Sequence, residues 1–204
     1  RLYRSSRMLA EAQSEAETLR ISGQILRSAP YPILLFQVLK DSLKLVTASD
    51  ASRAETSSGE FQNPIQTNTQ ELSTFLARGS VIAASSPVGL PKALQEITKI
   101  LGFTGAAILP IRGQAGLAAI IMIGSRQQSF SNLAVPPYEN LADLISAAFQ
   151  RSTTLAQTER RLQEVESLAS INELTSSIAD INGFFRDLLT KIQQIIGDYN
   201  LIVA

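Results

Sequence analysis

The apolar positions change period several times along the chain, and the changes mark out its elements. Leu2, Ser5, Leu9, Ala12, Ala16 and Leu19 follow at spacings of 3, 4, 3, 4 and 3, with Arg4, Arg7, Glu11, Glu15 and Glu17 on other faces. This heptad seam predicts a coiled-coil-like helix over residues 2–28, or else an amphipathic helix lying on its own domain. Pro30 and Pro32 stop it, because proline has no amide to donate and biases its predecessor toward extended backbone. An apolar run from Ile33 to Leu39, a polar turn at Lys40-Asp41-Ser42, and the alternation of Leu43, Leu45 and Thr47 with Lys44 and Val46 predict a hairpin.

From Ala51 to Gln70 the only large apolar residues are Phe61 and Ile65, so this stretch is expected to be a mobile loop or a lid. Glu71 to Ala77 predicts a short helix closed by Gly79, and Ser80 to Ala84 a short strand. Leu90, Leu94, Ile97 and Leu101 form a helical stripe, with Pro91 suited to the first turn and Gly102 to the C-terminal cap. Two nearly uncharged runs, Ala106 to Ile111 and Leu117 to Gly124, are joined through Arg112-Gly113-Gln114. They predict a central antiparallel hairpin with both faces covered, which needs no polar alternation. Pro110 is expected at a strand end or a bulge.

Ser131 or Asn132 is placed to cap a helix running on from Pro136 and Pro137, with Leu141, Leu144, Ile145, Ala148 and Phe149 as its packing stripe. Leu155, Leu162 and Val165 continue at near-heptad spacing, and neither proline nor glycine interrupts Tyr138 to Asn182. So long a run exceeds an ordinary globular helix and predicts a helical linker leaving the domain. Beyond Val165 the spacing of Leu168, Ile171, Leu174, Ile178 and Ile181 breaks strict heptad phase. Gly183 permits a break, Phe184 to Ile196 a second amphipathic helix, and Tyr199 to Ala204 a strand. The arrangement around Arg4-Ser5 returns near Arg151-Ser152, about 147 to 150 residues on, as in a tandem array whose next unit is cut off.

The 204 residues allow one core plus accessory helices. Lys plus Arg and Asp plus Glu number 18 each, so no net field favours nucleic acid, and no apolar run is long enough to span a bilayer. The chain has no cysteine and no histidine, which removes disulfides, thiol nucleophiles, thiolate and imidazole metal sites and the usual general base. The missing cysteines suit a cytoplasmic setting. No nucleophile elbow, phosphate loop or metal-spaced cluster is present, so catalysis is not expected.

The stretches LGFTGAAILPI, GLAAIIMIG, QSFSNLAVPPYENLADLISAAF and LASINELTSSI resemble, in turn, a proline-ended strand, the strand after it, the closing helix and the opening helix of a following unit in GAF domains. The segment ILRSAPYPILLFQVL equally opens a PAS domain. The resemblance implies an α+β fold: a GAF/PAS-like antiparallel sheet of five to six strands with covering helices and long coiled-coil-like helices at both ends. It also implies a domain order of linker helix (1–28), GAF-like domain (29–150), signalling helix (151–182) and the start of a second GAF-like unit (183–204).

GAF domains that hold bilin use cysteine and those that hold haem use histidine, so neither cofactor is expected here, nor a metal. A small-molecule pocket would be walled by Phe36, Phe61, Phe75, Ile82, Leu94 and Ile121. The implied role is a non-catalytic sensory or relay domain of a bacterial signalling protein, such as a sensor histidine kinase, homodimeric through Leu2, Leu9, Leu19, Leu155, Leu162 and Val165. The alternative is a ligand-free dimerisation spacer. The partners expected are a second copy and the adjacent domains of the chain, with no nucleic acid and no membrane contact from this segment.

Overall fold

The computed structural model of the chain describes residues 2–49, 61–83, 89–126, 135–176 and 181–196. They form two compact units, Arg1–Thr154 and Leu155–Ala204. In the first, helices α1 (Leu2–Glu11) and α2 (Glu15–Arg27) precede strands β1 (Ile33–Val38), β2 (Ser42–Ala48) and β3 (Ile65–Gln66). Helix α3 (Thr69–Phe75), strand β4 (Val81–Ala83), helix α4 (Lys92–Ile100), and strands β5 (Gly105–Gly113) and β6 (Gly116–Ser125) follow. The 41-residue helix α5 (Pro136–Ser176) begins in this unit, and α6 (Ile181–Ile196) lies in the second.

The sheet is antiparallel throughout, in the order β3-β2-β1-β6-β5-β4. Its centre is the apolar hairpin β5–β6 together with β1, and side chains alternate between two buried clusters. Ile33, Leu35, Ala107, Leu109, Ile111, Ile121 and Ile123 face α1, α2 and α5. Leu34, Phe36, Ala106, Ile108, Ile120 and Met122 face α3 and α4. With both sides covered, these strands need no polar alternation, as the sequence predicts.

Ends are set by local chemistry. Pro91 is the N-cap of α4 rather than a residue of its first turn, and Gly102 (φ 62°) directly follows the C-cap Leu101 in the left-handed geometry glycine adopts at low cost. Asn68 caps α3 by accepting from the Gln70 and Glu71 amides, each at 3.1 Å. Pro110 lies inside β5, paired with Ile120, and not at a strand end. It is tolerated because the described part of β4 reaches only Ile108, so no ladder partner is missed there.

Several expectations need correction. Residues 2–28 are two helices, because Ser14 caps α2 by accepting from the Glu17 amide at 3.2 Å, while the Glu17 carboxylate accepts from the Gln13 amide at 3.1 Å. These two capping bonds start a new helix where the heptad would run on. Both helices belong to the first unit, together with the sheet. Strand β3 lies within the stretch expected to be a loop or lid; its residues 51–60 lie outside the described ones. Helix α6 starts at Ile181, ahead of Gly183. Leu144 is 39% exposed, so the packing stripe of α5 is narrower than expected and runs through Leu141, Ala142, Ile145, Ala148 and Phe149. The expected cap at Ser131 or Asn132 and the expected strand at Tyr199 to Ala204 fall outside the described residues.

Candidate functional site

The six side chains expected to wall a pocket do not converge. Phe36, Phe61 and Leu94 share the cluster beneath α3 and α4, with Phe75 packed against it, and the Phe36 and Phe61 rings lie 6.3 Å apart. Ile121 points to the opposite face. Ile82 is on that side too, since its cross-strand partner Ala107 is, and it stands 38% exposed on the edge strand. The two-residue alternation of a strand separates these positions, whatever their spacing along the chain. Phe36 and Leu94 are both fully buried in that cluster. Surface recesses occur elsewhere: one of about 670 Å³ between α2 and β2 includes Leu19, Gly23 and Lys44, and another of about 680 Å³ includes Asp41, Asn68 and Lys92.

A second focus is the stretch of α5 just before it leaves the first unit. Its apolar side is buried against the sheet, while its polar residues are bonded to three other elements. The Arg151 guanidinium donates to the Leu9 carbonyl at 2.6 Å, near the C-terminal end of α1 where carbonyls lack helical partners. The Thr153 hydroxyl donates to the Glu15 carboxylate at 2.8 Å, in the first turn of α2. Ser146 Oγ accepts from the Arg112 amide at 3.0 Å, and Thr154 Oγ1 from Gln114 Nε2 at 2.7 Å. Ser152 is buried and donates to the Phe149 carbonyl. Sequence reasoning missed these residues because it followed apolar spacing. The available signal for Arg112 was its standing as the only charge between Gly105 and Ser125.

Tyr138, in the first turn of α5, is half-buried and meets Tyr31 edge-on with ring centroids 6.4 Å apart. Burial, and then the neighbouring Tyr31, push the Tyr138 phenol above its usual value of 10.0. The folded chain thus holds this proton more tightly than the unfolded chain does. Its contribution to stability is intact below about pH 10 and is lost as the pH rises further. Urea midpoints are expected to fall above about pH 10, and Tyr138→Phe is expected to flatten that fall. An unchanged slope in the variant would exclude Tyr138 as the cause.

The predicted dimer seam divides. Leu9 and Leu19 are 2% and 6% exposed, inside the domain's own core, so these two side chains are covered by the domain itself. Leu2 lies in α1, with its side chain outside what is described. Leu155, Leu162 and Val165 are 43%, 58% and 61% exposed, and Leu168 is 61% exposed beside them. In the second unit, Lys191 Nζ on α6 donates to Ser170 Oγ on α5 at 3.1 Å, and Phe184 and Phe185 meet edge-on. Among the described residues, no three His, Cys, Asp or Glu side chains are grouped to hold a metal ion, and no helix is long and apolar enough to cross a membrane.

No protein-family model matches the sequence, and no curated protein matches it. Solved structures do match the fold. The blue-light-absorbing form of the Thermosynechococcus elongatus PixJ GAF domain is 14% identical with a TM-score of 0.57, over 76% of this chain and 98% of that one. A methyl-accepting chemotaxis protein fragment is 15% identical with a TM-score of 0.54, over 75% of this chain and 98% of that one. The photosensory core module of Stigmatella aurantiaca phytochrome is 11% identical with a TM-score of 0.58; 95% of this chain spans 45% of that one. At these identities the likeness is one of fold. The chain adopts the GAF fold, an α+β architecture with a six-stranded antiparallel sheet, as its sequence resemblance implies.

Proposed function

We propose that this chain is a non-catalytic sensory and relay domain of a bacterial signal-transduction protein, such as a sensor histidine kinase, acting in the cytoplasm as a parallel homodimer through α5. One observation carries the reading. A single helix is core at Leu141, Ile145 and Phe149, and exposes Leu155, Leu162 and Val165 at near-heptad spacing further on. An apolar seam of this kind on a long helix is satisfied by a second copy of itself. Because packed helices prefer discrete arrangements, a shift of the domain against α5 becomes a change in the phase of the paired helices. The GAF fold of proteins concerned with chemotaxis and light sensing supports the assignment. On the same reading, α6 opens a following GAF-like unit, and the partners are a second copy and neighbouring domains, with no nucleic acid.

The test is self-association. The chain is expected to be dimeric at high micromolar concentration by analytical ultracentrifugation, and Leu162→Asp to be monomeric with an unchanged fold. A wild-type chain that stays monomeric removes the mechanism.

The full burial of Phe36 and Leu94 in one apolar cluster favours a second reading, a dimerising spacer that binds no ligand. The absence of cysteine and histidine leaves neither a thioether anchor for bilin nor an imidazole for haem. A thermal-shift screen of small metabolites and cyclic nucleotides separates the two readings. A bound ligand at a hundred times its Kd stabilises by about 2.7 kcal/mol, whereas a spacer responds to none.

A further inference from the structure

We propose that the tip of the β5–β6 hairpin is a clamp that makes the seating of α5 depend on α3, with Arg112 as its pivot. The inference rests on the relay reading and supplies its route. Helices α3 and α5 lie on opposite sides of the sheet: Leu72 and Leu76 are buried on one face, Leu141, Ile145 and Phe149 on the other. Between them the sheet is apolar and close-packed, a medium without discrete polar contacts to exchange. At the hairpin tip, one residue is bonded to both sides.

The Arg112 guanidinium donates through Nη2 to the Leu76 carbonyl at 2.8 Å and to the Ala77 carbonyl at 3.0 Å. These carbonyls end α3, where orphan acceptors and the helix dipole both favour a cation. The backbone amide of the same residue donates to Ser146 Oγ on α5, and Ser146 in turn donates to the Ala142 carbonyl at 2.8 Å. A register shift between Ile111 and Arg112 marks a bulge, a device that re-aims a side chain at the end of a ladder. Two residues on, Gln114 bonds Thr154. Ser146 and Thr154 are about two helical turns apart, roughly 12 Å along α5, and Leu155 follows immediately.

The side chain of Arg112 thus holds α3 while its backbone holds α5. A tilt or loosening of α3 draws the hairpin tip with it, and the tip grips α5 at two points ahead of the exposed seam. Severing the link at Arg112 leaves each helix packed on its own face and removes the communication between them.

Hydrogen exchange followed by mass spectrometry on the full chain tests this. Asn68→Ala removes the cap of α3 and is expected to raise exchange there about fivefold. With Arg112 present, exchange over residues 146–154 of α5 is expected to rise about twofold as well. In an Arg112→Met background, Asn68→Ala is expected still to loosen α3 and to leave α5 unmoved. If Arg112→Met does not fold, Ser146→Ala combined with Thr154→Val cuts both grips at the other end of the link and is expected to give the same pattern. An α5 that ignores Asn68→Ala while Arg112 is present, or responds equally in both backgrounds, overturns the clamp. The measurement needs neither ligand nor dimer, so repeating it on Leu162→Asp separates failure of the clamp from failure of the relay.

Discussion

Phe36→Ala is expected to destabilise the domain by about 3–5 kcal/mol, the range for removing a fully buried aromatic ring. Phe36 is 0% exposed and shares its apolar cluster with Leu34, Leu43, Phe61, Leu94 and Ile97. In a preformed ligand pocket, the ring would line an existing void, and its loss would forfeit few contacts. In a close-packed core, the same loss opens a cavity whose walls do not fully collapse. Urea unfolding measures the difference, and a cost below about 1.5 kcal/mol would contradict close packing at this point. The variant is further expected to gain stability from a small apolar solute such as benzene, as dry apolar cavities do.

Gly124→Ala carries the second large effect, and its sign depends on one neighbour. A Cβ built at Gly124 would stand 2.1 Å from Phe103 Cε2 and 2.3 Å from Cδ2 and Cζ. The Phe103 ring is 5% exposed, and the Arg126 guanidinium lies 5.8 Å from its centroid, so it cannot move outward freely. Overpacking of this kind costs about 1–3 kcal/mol. In a Phe103→Ala background the obstacle is gone, and what remains is the restricted unfolded chain of alanine, which favours the folded state by up to about 1 kcal/mol. The substitution is expected to change from destabilising to neutral or stabilising between the two backgrounds. A cost that persists without the ring would place the strain in the backbone of β6 instead.

The central strands were legible in the sequence because a strand covered on both faces announces itself by lacking polar residues, as Ala106 to Ile111 and Leu117 to Gly124 do. Helix α4 was legible for a different reason: Leu90, Leu94, Ile97 and Leu101 give its buried side and Gly102 its end. The N-terminal break was written in Ser14 and Glu17, but a heptad read through Ala12 and Ala16 masks it, since small residues fit a seam and a helix end equally well. Strand β3, two residues paired to Ser42 and Leu43, is too short to leave a periodic signal. For the site, spacing alone could not assign Ile82 and Ile121 to a face; that needs the register against β5 and β1. The bonds of Arg112 and Arg151 to main-chain carbonyls leave no trace in sequence, because every residue carries such an acceptor.

The contacts from Arg151 to Leu9 and from Thr153 to Glu15 join the N-terminal helices to α5 on one side of the sheet. This short path from α1 to α5 lies on the side of the sheet away from Phe36 and its neighbours. On the relay reading proposed above, torque entering through α1 crosses the domain along this face and needs no ligand on the other.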